Sequence, residues 1–255
     1  MHLADPDPQH RGALAQGLAL LHATTPDAEQ AARCFREAAD AGSPEGLAML
    51  GFCQLEGLGL PRQPAEARQT LERAAAAGSA SAQFNLARAL VAGWGGSIDA
   101  ARALSLYVAA AAAGHADATF HLASGLEGGW GCLPDPLAAK ALFMRARALG
   151  SPLRAPGLLI HQREVDAVRD LARRFEHGSD LARLIDERQR EIALVTDLVR
   201  HRHVGSGAWQ RSWRQRIANT RAVIAAFIGA LVEQFGRRQR RGLAHDAGPT
   251  SIGPT

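Results

Sequence analysis

The sequence predicts an all-α fold: an α-solenoid of about four 36-residue helix-hairpin repeats, followed by a helical C-terminal extension. Three observations carry the prediction. Gly42, Gly78, Gly114 and Gly150 succeed one another at intervals of 36 residues, each closing an alanine-containing block. The same interval aligns Leu14, Leu50, Leu86 and Leu122 in one slot, Ala31, Ala67, Ala103 and Ala139 in another, and the large apolar Phe35, Leu71, Tyr107 and Phe143 in a third. The composition is 47% apolar with only 5% aromatic residues, which favours closely approaching helices with small side chains over strands.

Residues 1–10, with two prolines and two aspartates, read as a flexible lead-in. The repeats then occupy 11–155. In the second repeat Ser43-Pro44 supplies an N-cap followed by proline at the first helical position, where a missing N–H is harmless. That helix runs to about Leu55 and ends at Gly57, a left-handed C′ position. The loop Leu58-Gly59-Leu60-Pro61-Arg62 leads into a second helix, which runs through the alanine block to Gly78 with Ala67, Leu71, Ala74 and Ala75 on one apolar face. One hairpin cannot bury such a face alone, so neighbours must stack.

After Gly150 the register fails. Ser151-Pro152 is expected to start another helix with Leu158 in the leucine slot, but Asp186 stands where the next glycine belongs. Residues 156–204 read as an amphipathic helical extension. One helix carries Val165, Val168, Leu171 and Phe175; another, at about 180–200, carries Leu181, Leu184, Ile185, Ile192, Val195 and Leu198 on one face. Residues 205–241 read as a hinge, Gly205-Ser206-Gly207, and an apolar helix with arginines on both flanks; residues 242–255 read as a disordered tail.

Several slots in exact register resemble a known family. Ala82-x-x-x-Leu86-Ala87, Gly93-x-Gly95, Asp99-x-x-x-Ala103, Tyr107, Ala110-Ala111 and Gly114 resemble the Sel-one-like repeat, a relative of the tetratricopeptide repeat. Copies recur around Leu50-Gly51, Gly57-x-Gly59 and Gly78, and around Leu122-Ala123 and Gly129-x-Gly131, while the first copy lacks the glycine pair. The resemblance implies a scaffold that binds a protein or peptide, with no catalytic residues to carry over. By analogy with tetratricopeptide repeats, whose first helices line the concave face, it also points to Asn85, Arg88, His121 and Ser124 as partner-binding residues.

The net charge of +4 conceals an asymmetry, since residues 200–255 carry 10 basic and 2 acidic side chains. Three readings follow for the arginine-flanked helix: docking on the solenoid, self-association, or lying on a membrane surface, with Trp213, Ile224, Phe227 and Leu231 as the associating residues. Its clean apolar run, Ala222–Val232, falls short of a membrane span of about 20 residues. The alternative function is therefore a membrane-surface or nucleic-acid-associated regulator targeted by this arginine-rich helix, with nucleic acid the less expected of the two because aromatic interleaving is confined to Trp209 and Trp213. Cys34, Cys53 and Cys132 lack disulfide or metal spacing, and the first residues lack a secretory pattern, so a cytoplasmic location is expected.

Catalytic chemistry is not expected, nor is a cofactor. His115-Ala116-Asp117 contains two ligand types of a non-haem iron triad, but it occupies the same inter-repeat turn as Ser79-Ala80-Ser81. The remaining candidates are Trp94 and Trp130, which with Leu58 form a ladder on the loops within each repeat. They either seal the edge of the stack or anchor a partner, as tryptophan often does at interfaces. The leucine slot is core on either reading. Leu86→Ala is therefore expected to cost about 2–5 kcal/mol, as for other buried leucines; thermal unfolding checks this, and an unchanged melting temperature would place the slot outside the core.

Overall fold

The computed structural model describes residues 8–155 and 159–202, with side chains from residue 12 to residue 197 in those ranges. Helix α1 (Pro8–His22) pairs with α2 (Ala28–Asp40), α3 (Pro44–Glu56) with α4 (Pro64–Ala76), α5 (Ala80–Ala92) with α6 (Ala100–Ala112), and α7 (Ala116–Gly128) with α8 (Pro136–Ala148). From α2 to α8 every helix is 13 residues long. From α4 onwards each starts 36 residues after its counterpart in the preceding repeat. No strand occurs among the described residues.

Local chemistry sets these lengths. Ser43 and Ser79 accept from the backbone N–H of Gly46 and Ala82 and so cap α3 and α5. Asp27, Asp99 and Asp135 do the same for α2, α6 and α8, whereas α4 begins on Pro64 without a side-chain cap. Each second helix closes in a Schellman turn. At α4, Gly78 N–H donates to Ala75 C=O (3.0 Å) and Ser79 N–H to Ala74 C=O (3.1 Å). Gly78 has φ +90°, and a Cβ there would meet nothing within 4 Å, so backbone conformation alone demands glycine.

The stack is closed by another glycine. Gly95 has φ +74°, and an added Cβ would lie 2.2 Å from the Pro64 carbonyl oxygen at the start of α4. Gly59 and Gly131 make the same approach to Ala28 and to Ala100-Ala101. Each within-repeat loop thus rests on the first turn of the preceding repeat's second helix. Beneath it the aligned slots are core: Ala31, Ala67, Ala103, Ala139, Phe35 and Leu71 are wholly buried, Leu86 is 1% exposed and Leu122 0%. Leu14 and Leu50 are only half-buried, nearer the first end of the stack.

Two expectations need correction here. Helix α1 already begins at Pro8, inside the segment read as a flexible lead-in, because proline is accommodated in a first turn. Ser151-Pro152 starts no helix: residues 151–155 are irregular. Pro156 would fall inside the helix, where it lacks a donor and clashes with the preceding turn. Ser151 instead donates to Asp117 Oδ1 (2.6 Å). Leu158 lies outside the described residues.

The chain then forms a short 3-10 turn (Gln162–Glu164), α9 (Val165–Arg174), a second 3-10 turn (Gly178–Asp180) and α10 (Leu181–Arg202). Val168, Leu171, Phe175, Leu181, Leu184 and Ile185 are buried. Of the second half of the expected α10 face, Ile192 is half-buried and Val195 exposed, so burial stops about halfway along the helix. Polar ties fasten this extension to the last repeat. Arg188 is bidentate on Asp135 (2.5 and 2.9 Å), and Gln189 pairs with both backbone groups of Leu133 (2.8 and 3.0 Å). Lys140 binds Glu164 at 2.5 Å. Gly178 approaches the end of α6 so closely that a Cβ would stand 2.0 Å from Ala112 O.

The two glycine classes separate in mutation. Gly78→Ala is expected to cost about 1–2 kcal/mol, the penalty of an L-residue in the left-handed region. Gly95→Ala adds a clash with backbone and should be clearly the more destabilising; denaturant unfolding of the two variants checks the order.

Candidate interaction surface

The first helices and the loops that follow them assemble the candidate residues. Arg88, on α5, reaches back one repeat to Glu56 at the end of α3, donating through Nη2 at 2.9 Å. Its Nη1 donates to Asn85 Oδ1 at 3.1 Å, one turn earlier on the same helix. The guanidinium also lies over the rings of Phe84 (5.7 Å to the centroid) and Trp94 (5.6 Å). Trp94 follows the left-handed Gly93 and is held by its N–H on Ala89 C=O at 2.9 Å. A second guanidinium, that of Arg62 in the loop of the preceding repeat, lies 5.7 Å from the indole centroid. Arg62 is oriented by Nε donating to Leu55 C=O (3.0 Å). Two cations over one half-buried indole contribute about 0.5–1 kcal/mol each where solvent still reaches them.

One period further on the chemistry changes. Trp130 occupies the same loop position, but its Nε1 is buried without a hydrogen-bond partner and its ring edge lies beside Gly125. His121, in the slot of Asn85, is buried in an aromatic stack. It lies parallel to Tyr107 (5.4 Å, 11°), edge-on to Phe120 (5.9 Å, 82°) and 5.5 Å from Phe84. Burial first, and then the charge of Arg88, push its pKa down to about 4. His115 stacks on Phe84 at 4.7 Å and caps α7, its Nδ1 accepting from Ala118 N–H (3.2 Å). Burial lowers its pKa as well, against the pull of Asp117. The cap requires an unprotonated Nδ1, so the fold holds this imidazole neutral. Ser124, half-buried, donates to Phe120 C=O at 3.2 Å.

With four register-matched helix pairs in place, comparison with known proteins is decisive. The Sel1 repeat model matches residues 13–43, 44–79, 80–115 and 116–151, more than half of the chain. The chain belongs to the Sel1 repeat family. Among solved structures it is similar to a Sel1 repeat protein from Oxalobacter formigenes, with 24% identity and a TM-score of 0.50 over 58% of this chain and 59% of that one. It is also similar to a protective antigen of uropathogenic Escherichia coli with an SLR fold, with 21% identity and a TM-score of 0.53 over 69% and 40%. The chain thus spans less than two thirds of either relative, and at these identities the likeness is one of fold. No curated protein sequence matches. Sel1 repeat solenoids are in general protein–protein interaction scaffolds.

Within these Sel1 repeats, Asn85, Arg88 and Trp94 come together around one corner of the second and third repeats. His121 and Ser124 sit one period away, His121 buried and Ser124 bonded to its own helix. Two partners were missed in the sequence, Arg62 and Glu56. Glu56 could have been found: it precedes Arg88 by 32 residues, one repeat less one helical turn, which brings stacked first helices into register. No group of metal-binding side chains is present among the described residues. No described helix is long and apolar enough to cross a membrane. Trp213, Ile224, Phe227 and Leu231, with the glycine hinge, lie outside the described residues.

Buried His121 and half-buried His115 make the Sel1 stack acid-sensitive. Their folded pKa values lie below the ordinary 6.5, so the stabilising neutral forms are fully present above that pH and are lost as pH falls towards the folded values. For His121 alone, with its pKa at about 4, the loss is about 2 kcal/mol by pH 5. Urea unfolding at pH 7 and pH 5 measures it, and His121→Phe should flatten the difference.

Proposed function

We propose that this Sel1 repeat protein is a non-enzymatic scaffold that captures a protein partner at the corner around Trp94. One observation carries the reading: a half-buried indole is overlaid by two guanidinium groups supplied from two consecutive repeats. Tryptophan and arginine are enriched among interface hot spots, and both are already held in place before a partner arrives. Arg88 is fixed by Glu56 and Asn85, Arg62 by the Leu55 carbonyl, and Trp94 by its own turn. A site so ordered loses little side-chain entropy on binding. Trp130 is assigned to packing instead, since its indole N–H faces the protein interior. A cytoplasmic location is part of the same proposal; the three cysteines are thiols, two of them buried.

The two tryptophans should therefore separate in experiment. Trp94→Ala is expected to lower capture of partners from the native host more than tenfold at a cost of only about 1–2 kcal/mol in stability, the loss of its two cation–π contacts. Trp130→Ala, at a half-buried ring whose Nε1 is enclosed, is expected to destabilise the fold more than Trp94→Ala does while leaving capture intact. Affinity capture with quantitative mass spectrometry, beside thermal unfolding, checks both. Retained capture by the Trp94 variant would sink the reading.

A further inference from the structure

The two arginines over Trp94 are in different electrostatic states. Arg88 is engaged on both sides, one nitrogen on the Glu56 carboxylate and the other on the Asn85 carbonyl. Arg62 is exposed and makes no ion pair among the described residues; its one hydrogen bond is from Nε to Leu55 C=O. That bond and the indole leave the two Nη groups as the edge for a further acceptor. Glu56 is taken by Arg88, so the corner holds two guanidinium charges against one carboxylate.

We propose that Arg62 and Trp94 form a docking site for an acidic linear segment of a partner protein. A side-chain or terminal carboxylate accepts from the Nη edge of Arg62, while the apolar side chain next to it packs on the indole. The inference rests on the reading of Trp94 as a partner anchor and adds the chemistry that the anchor selects.

The planar guanidinium fork matches a carboxylate in two-point geometry, and a charge-assisted bond of this kind is about twice as strong as a neutral one. The fork is oriented in advance, because Nε is tied to a backbone carbonyl and the guanidinium carbon lies 5.7 Å from the indole centroid. The chain's own last residues are the less suitable occupant by charge, since residues 200–255 carry 10 basic and only 2 acidic side chains. A membrane surface calls for clusters of about 4–8 cations, and nucleic acid for many phosphate contacts, whereas this corner offers one uncompensated cation beside an apolar ring.

Display selection of random peptides against the full chain tests the inference. The retained peptides should carry Asp or Glu beside an aromatic or large aliphatic residue and should bind more weakly at high salt. Arg62→Gln should weaken binding of a selected peptide about tenfold or more while lowering the melting temperature by no more than a few degrees, and Arg62→Lys should fall between. Trp94→Ala should abolish it. If Arg62→Gln binds like the parent while Trp94→Ala does not, the anchor stands and the carboxylate is wrong. If Trp94→Ala also binds normally, both readings fall. Selected peptides without acidic residues, or no retained peptides at all, overturn this inference alone. An Arg62-dependent dimer in sedimentation velocity would make the occupant a second copy and overturn it too.

Discussion

Close approach of a loop backbone to the helix before it is the constraint on which the rest of this solenoid depends. At Gly59, Gly95 and Gly131 a Cβ would lie between 2.0 and 2.6 Å from backbone atoms of the preceding second helix. No side chain fits, so the loop comes to rest on the first turn of that helix and the distance between repeats is set by backbone contact. Loop and helix lengths can then vary little, because the next pair must present its leucine and aromatic slots to the same core. The alanine slots serve the same end from inside, since wholly buried alanines let the helices approach closely. Trp94 and Trp130 sit immediately before or beside these contacts, each one residue ahead of the glycine of its own loop. Their neighbours are therefore determined by stacking, and Arg62 reaches Trp94 because its own loop belongs to the preceding repeat.

A stack built this way has ends, and each end must be covered. At the far end the chain does not begin a fifth hairpin. It uses α9 and α10 to bury Val168, Leu171, Leu181, Leu184 and Ile185, with Gly178 repeating the close approach, now against Ala112. The ion pair of Arg188 with Asp135 occupies a carboxylate only 2% exposed, which also caps α8. Breaking the pair would leave a buried charge uncompensated, so the extension and the last repeat stand or fall together. Leu133 is bound through its backbone by Gln189, which ties the edge of the fourth loop as well.

The family match to four consecutive repeats agrees with this geometry. What distinguishes this chain lies in how equivalent slots diverge. Asn85 and His121 share a slot, yet one supports Arg88 and the other is a neutral imidazole in an aromatic stack. Arg88 and Ser124 share another, and only the arginine bridges two repeats. The second and third repeats therefore carry the charged aromatic corner, and the third and fourth a packed ring cluster. Substitutions at fixed positions thus give nearly identical units different local chemistry.

Much of this was legible in the residue order. Capping residues and left-handed glycines act over three or four positions, so Ser43, Ser79, Gly57 and Gly78 announce helix ends without reference to anything distant. The period announces stacking, because a residue type recurring every 36 positions can only be meeting the same environment again. Where neighbours are not periodic, the order of residues was silent. It made Trp94 and Trp130 alike, and it gave no sign that burial would stop about halfway along α10; Pro156, by contrast, is itself a local signal against a helix continuing from Ser151-Pro152. Only the tertiary structure decided which tryptophan points its N–H inward, which arginine is spent on Glu56, and which histidine is sealed from water. Those outcomes depend on side chains from different repeats meeting across the stack, and such meetings are set by packing distances that no local pattern records.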